Sequence, residues 1–141
     1  MKTFSASTLI NAPTDTIWAL LTDGARWPDW NLTIDSVEGR IAPGEKITVY
    51  SKVNPGRAFP LRVTEFVPGK RMVWTGGMPL GLFKGERTYT LTEHEDSRVE
   101  FAMREAFSGL LAPLMTRSIP DLQPSFEAFA EALKRQAEGA A

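Results

Sequence analysis

Residues 11–31 read NAPTDTIWALLTDGARWPDWN, and the change of rhythm inside this stretch decides the fold. Pro13 suits a first helical turn, where its missing N–H costs nothing, and Asp15 favours the positive end of a helix. Ile17, Leu20 and Leu21 follow at i, i+3 and i+4 with Trp18 beside them, so the spacing predicts a short amphipathic helix that Gly24 stops. Pro28 then starts a second short helical turn or a tight corner carrying Trp27 and Trp30, two of the four tryptophans in the chain. These rings are either a stacking platform for a ligand or plugs that fix the corner; each offers a large apolar surface and a single N–H donor.

Outward from this segment the period becomes that of strands. Phe4–Ile10 precedes it as a first strand. After it come Ile34–Arg40, Lys46–Val53, Arg57–Val67, Arg71–Thr75, Glu86–Thr92 and Arg98–Phe107, separated by turns at Ala42-Pro43-Gly44, Asn54-Pro55-Gly56 and Pro68-Gly69 and near Glu95 or Asp96. Alternation puts Ile47 and Val49 on one face, then Phe59, Leu61 and Val63, then Met72 and Trp74, then Tyr89 and Leu91, then Val99, Phe101 and Met103. Consecutive hairpins make the sheet antiparallel, with one face in water. Leu122, Phe126, Phe129 and Leu133 recur at helical spacing in a final helix, whose approach Pro113, Pro120 and Pro124 break or kink. The class is α+β, with the order strand, two short helices, six strands, long helix.

Composition narrows the function. At 141 residues and 43% apolar the chain forms one domain spanning 1–141 with a core of its own. Sixteen basic residues face seventeen acidic ones with no basic block, which argues against nucleic acid. No apolar stretch reaches the length of a membrane span, and MKTFSASTLIN lacks a secretory h-region, so the expectation is a cytoplasmic protein without stable membrane insertion. Without cysteine there is no thiolate chemistry. The single histidine, His94, falls in a predicted turn, and Asp15, Asp23, Asp29 and Asp35 lack metal-loop spacing. No metal or other cofactor is called for.

NAPTDTIWALLTD followed by WPDWN, PGKRMVWTG, GERTYTLTEHEDSRVEF and SFEAFAEALKRQAE, in this order, resemble the START-like superfamily, also called Bet v 1-like or SRPBCC. The resemblance covers nearly the whole chain. It implies a helix-grip fold, a curved sheet of about seven strands wrapped around a long carboxy-terminal helix. It implies a cavity between sheet and helix for a small apolar or amphipathic ligand, whether lipid, aromatic or polyketide-like. It also implies that Trp27 and Trp30 form the corner leading into the sheet. Some relatives of this kind are polyketide cyclases, aromatases or dehydratases, and others resemble Hsp90-ATPase-activator domains that bind a protein partner.

The residues that would line such a cavity are Val49, Leu61, Met72, Trp74, Tyr89, Phe101, Met103 and Phe126, with Ile47, Val63, Phe107 and Phe129. Two charges interrupt them. The alternation that turns Tyr89 inward also turns Arg87 inward, and that of Phe101 and Met103 brings Glu105 inward. A short hairpin places the two within cross-strand reach, and the cost of an isolated buried charge predicts an ion pair. With the Tyr89 hydroxyl the pair marks the polar end of a ligand such as a carboxylate or phenol, or else it is a structural salt bridge near the rim. The loop TGGMPLGLFKG, residues 75–85, exposes Met78, Leu80, Leu82 and Phe83 as a lid, a homodimer contact or a lipid-facing portal, or it folds back on a helix beginning near Leu110 and Leu111.

Overall fold

The computed structural model describes residues 2–31, 33–52, 56, 58–119 and 121–140. The expected turn residues Asn54 and Pro55, the expected strand ends Val53 and Arg57, and Pro120 lie outside the described residues. The elements are β1 (Lys2–Ile10), α1 (Thr14–Thr22), α2 (Trp27–Trp30), β2 (Ile34–Glu38), β3 (Lys46–Ser51), β4 (Ala58–Val67), β5 (Arg71–Gly77), β6 (Lys84–Glu93), β7 (Val99–Ser108), α3 (Ala112–Met115) and α4 (Gln123–Ala140). The strands form one antiparallel sheet in the order β1-β7-β6-β5-β4-β3-β2. With α4 packed over it, this is the helix-grip arrangement. No helix among the described residues is long and apolar enough to cross a membrane.

β1 and β2 are consecutive strands on opposite edges of the sheet, so the chain between them must travel its full width. The helical corner makes that crossing. Ile17 and Leu21 of α1 are buried, and Gly24 is needed less as a helix stop than for space: a Cβ there would stand 3.0 Å from the Val37 side chain. Trp27 is fully buried, and its indole N–H donates to the Leu20 carbonyl at 3.1 Å. Its ring stacks on Trp74 at 5.3 Å and meets Tyr89 and Phe129 edge-on, while Trp30 meets Phe129 at 5.5 Å. The tryptophans of the corner are therefore plugs, and what they plug is the centre of the molecule.

Register follows the expected alternation on β3, β5, β6 and β7. It departs on β4, where a bulge between Val63 and Glu65 shifts the pairing with β5, so Phe66 is the next residue to pack on the core and Glu65 stays in water. Bulges bend a strand and raise its twist, which helps the sheet curl.

The edge of β1 is covered by side chains of α4. The Gln123 amide donates from Nε2 to the Ser5 carbonyl at 2.7 Å and accepts the Ser5 N–H at 3.3 Å, imitating a neighbouring strand. Lys134 donates to the Leu9 carbonyl at 2.7 Å, and Glu138 accepts the Asn11 N–H at 2.9 Å. That backbone bond, with Lys134, holds the Glu138 carboxyl below the usual carboxylate range. An edge satisfied in this way offers little to an approaching strand.

Trp27→Ala removes the ring on which Trp74, Tyr89 and Phe129 converge and should cost roughly 3–5 kcal/mol of unfolding free energy in a denaturant titration.

Candidate functional site

β6 and β7 pair so that Arg87 lies directly opposite Glu105. Both side chains face the concave side between Tyr89, Met103 and Phe107. Arg87 Nε donates to Glu105 Oε2 at 3.1 Å and Nη2 to the same oxygen at 2.5 Å. The side chains retain 17% and 12% exposure, so the pair sits at the mouth of the sheet–helix space and not at its bottom. Phe126, from the first turns of α4, lies 5.0 Å beneath the guanidinium as a cation–π partner. Glu105 Oε1 turns toward Gly85, 3.7 Å from where a Cβ would stand, and takes no hydrogen bond among the described residues.

The electrostatics follow from burial. Desolvation is the largest single influence on Arg87 and weakens its hold on its proton, but the Glu105 carboxylate and the Tyr89 phenol together outweigh it, and the guanidinium pKa rises above its ordinary value. Desolvation pushes the Tyr89 phenol up to about 12, against the pull of Arg87 and with the help of Glu105. At neutral pH the site thus holds a fixed cation, a carboxylate bound to it, and a phenol that keeps its proton.

The Tyr89 hydroxyl is completely buried next to the Arg87 guanidinium, a donor that pulls on its oxygen but cannot accept its proton, so the O–H has no acceptor among the described residues; the indole N–H of Trp74, which lies opposite Arg87 on β5, is likewise buried and unpaired. The Trp74 and Tyr89 rings are 5.0 Å apart. Two unsatisfied groups on adjacent strands beside a semi-buried ion pair form a polar cluster in an otherwise apolar interior. Such groups cost about 1–3 kcal/mol each. Chemically the cluster can donate hydrogen bonds to an oxygen and stabilise negative charge on it.

The structure gathers Arg87, Glu105, Tyr89, Trp74, Met103 and Phe126 in one place. Met72 and Phe101 are buried immediately behind Tyr89, as its partner across β5 and as a ring stacked on it at 6.3 Å. Leu61 and Val49 lie apart, two and three strand spacings from β6, about 10 and 14 Å measured along the sheet. Leu61 is half-buried and covers Gly76. Among the described residues the interior is packed where the sequence reading expected an open cavity. Trp27, Trp74, Tyr89, Phe101 and Phe129 fill the space between sheet and helix, and the hollows are on the surface: one of about 640 Å³ where the β1 edge meets α4, one of about 450 Å³ near Pro13 and His94. His94 is solvent-facing and pairs with Glu100 at 3.0 Å. Of the two sequence readings of Trp27, a ligand platform or a plug of the corner, its burial against Trp74 and Tyr89 behind the cluster fits the plug.

A family model described as polyketide cyclase / dehydrase and lipid transport matches residues 1–138. The chain belongs to this family. The oxopyrrolidines biosynthesis cluster protein O of Penicillium oxalicum is 32% identical over 124 residues, covering 67% of this chain and 61% of that protein, so the chain spans less than two thirds of that relative. Among solved structures, the ZhuI aromatase/cyclase from Streptomyces sp. R1128 superposes with a TM-score of 0.74 at 14% identity, covering 97% of this chain and 93% of that one. A START superfamily protein from Mycobacterium smegmatis gives 0.69 at 14% identity, covering 99% of each. Hypothetical protein jhp0584 from Helicobacter pylori gives 0.77 at 15% identity, covering 96% and 88%. Likeness at these identities is a likeness of fold.

Because the folded phenol titrates higher than the unfolded one, the folded state binds more protons between pH 10 and 12, and stability falls as pH rises through that window. Relative to Tyr89→Phe, the wild type should lose on the order of 2 kcal/mol there. The phenolate absorbance that disappears in the variant should have a midpoint near pH 12.

Proposed function

We propose that this protein binds a small amphipathic ligand whose polar end is a hydrogen-bond acceptor, a carboxylate, phenolate or carbonyl oxygen, held by Arg87, Tyr89 and Trp74. Its apolar body lies against Phe126, Met103 and Phe107 at the mouth between β6, β7 and α4. The observation that carries this reading is the pair of buried donors beside Arg87, the Tyr89 O–H and the Trp74 N–H, that have no acceptor among the described residues. A core selected only for stability would hold phenylalanine at residue 89, because an unsatisfied hydroxyl destabilises and a ring of the same shape does not. Glu105 fixes the guanidinium and leaves its other donors pointing at the ligand. The ligand enters from the Gly85 end, where exposure remains, and the Phe107 and Phe126 rings rotate to admit it.

A second reading assigns chemistry to the same cluster. The family covers cyclases and dehydrases, and the Penicillium relative is named for a biosynthesis cluster. In that case Arg87 and Tyr89 stabilise an enolate oxygen and Glu105 moves a proton beside it. Glu105→Gln then abolishes turnover of an added β-polyketone while binding persists.

Tryptophan fluorescence titration with 2-naphthoate and with naphthalene tests the binding reading. The anion should bind and the hydrocarbon should bind at least tenfold more weakly, roughly the strength of one hydrogen bond to a charged group. Tyr89→Phe should weaken the anion by about the same factor while leaving the protein no less stable. Equal binding of both probes, or an unchanged affinity in Tyr89→Phe, would remove the proposal.

A further inference from the structure

Four of the five large apolar side chains left exposed among the described residues fall in two loops at one end of the sheet: Met78 and Leu80 before β6, Leu110 and Leu114 after β7. The fifth, Val67, is at the opposite end of β4. The two loops are one unit. The Leu111 N–H donates to the Leu82 carbonyl at 2.7 Å, and Gly109 approaches so closely that a Cβ there would stand 2.6 Å from the Gly81 carbonyl oxygen. On the inner side this unit is anchored to the core through Phe83, stacked on Phe107 at 5.8 Å. The loop thus folds back toward residues 110–111, as one of the sequence readings had it, but only along one side. Its outer side projects Leu80, which is 96% exposed and held at φ 62°, a left-handed conformation unfavourable to a leucine. Water gives no reason to keep a branched apolar residue there when Gly or Asn would relieve the strain.

Charge decides what covers the patch. Residues 76–85 and 109–119 contain two ionisable side chains, Lys84 and Arg117, and no acid, in a chain whose net charge is −1. Lys84 is tied to Glu86 at 3.2 Å, while Arg117 is exposed and makes no ion pair among the described residues. A two-fold contact between copies through this patch would bring Arg117 toward its own copy with no acid in either segment to offset it. Projecting leucines with a free arginine on the same segment and no acid among them fit a yielding apolar medium with an anionic surface. We propose that the 78–83 and 110–117 loops form a docking surface for an anionic lipid bilayer, inserting Leu80, Leu110 and Leu114 between headgroups with Arg117 on the phosphates. This surface is distinct from the Arg87 cluster and does not depend on the ligand proposed for it.

Sedimentation with vesicles tests this directly. The intact protein should pellet with equimolar phosphatidylcholine and phosphatidylglycerol vesicles and bind pure phosphatidylcholine much more weakly. Leu80→Asp combined with Leu114→Asp should lower the partition coefficient by about tenfold or more. Arg117→Ala should lower it by about fivefold, an effect that added salt erases. The leucine variant should fold normally by circular dichroism, since aspartate tolerates positive φ better than leucine. Three results would overturn the proposal: no pelleting of the wild type, equal pelleting of the leucine variant, or a wild-type dimer in sedimentation equilibrium that the leucine variant dissolves.

Discussion

The chain leaves β1 on one edge of the sheet and must begin β2 on the other, and everything else depends on how that crossing is packed. α1 and α2 make the crossing, and Trp27 locks it by stacking on Trp74 from the middle of the sheet while α4 presses Phe129 against it from the other side. Without this convergence the sheet would have no third layer at its centre. With it, the sheet–helix space is filled by rings, and the Arg87–Glu105 pair, the buried ion pair among the described residues, lies at its margin. The position of the Arg87–Glu105 pair is thus a consequence of the tryptophan corner: rings occupy the depth, charges the mouth.

That division gives the polar cluster its character. Deep burial would make the pair too costly to maintain, and full exposure would leave it screened and weak. At the mouth, the guanidinium is held by one carboxylate oxygen and one aromatic face. Among the described residues the Trp30 N–H, the Asn31 amide, the Trp74 N–H and the Tyr89 hydroxyl are buried without a partner, and the last two lie beside the Arg87–Glu105 pair. Their chemistry matches an acceptor oxygen, and their apolar surroundings match the body of a small amphipathic molecule.

Much of this was legible in the sequence because period-two alternation and a short hairpin leave little freedom. Tyr89, Met103, Arg87 and Glu105 all fall where alternation puts them, and the turn at Glu95 and Asp96 fixes Arg87 opposite Glu105. The Phe126, Phe129 and Leu133 stripe likewise faces inward. What alternation does not carry is a change of register: the bulge after Val63 adds one residue with no compositional mark and turns Phe66, not Glu65, toward the core. Volume is equally invisible to pattern. The inward residues were identified, but whether they leave a cavity depends on Trp27 reaching across from the corner, a contact between residues far apart in sequence. The edge-capping by Gln123 and the left-handed Leu80 belong to the same class, since both are set by tertiary neighbours and not by local propensity.

The central claim is that the Arg87–Glu105 pair is kept for a ligand and not for the fold. Replacing both residues together, Arg87→Met with Glu105→Leu, removes the charges while preserving volume and leaves no unpaired partner behind. The unfolding free energy of this double variant is the most direct measurement. A value equal to or above that of the wild type is expected, with 2-naphthoate binding lost. A fall of about 3 kcal/mol or more, with anion binding retained, would show the pair to be a structural bridge and contradict the account.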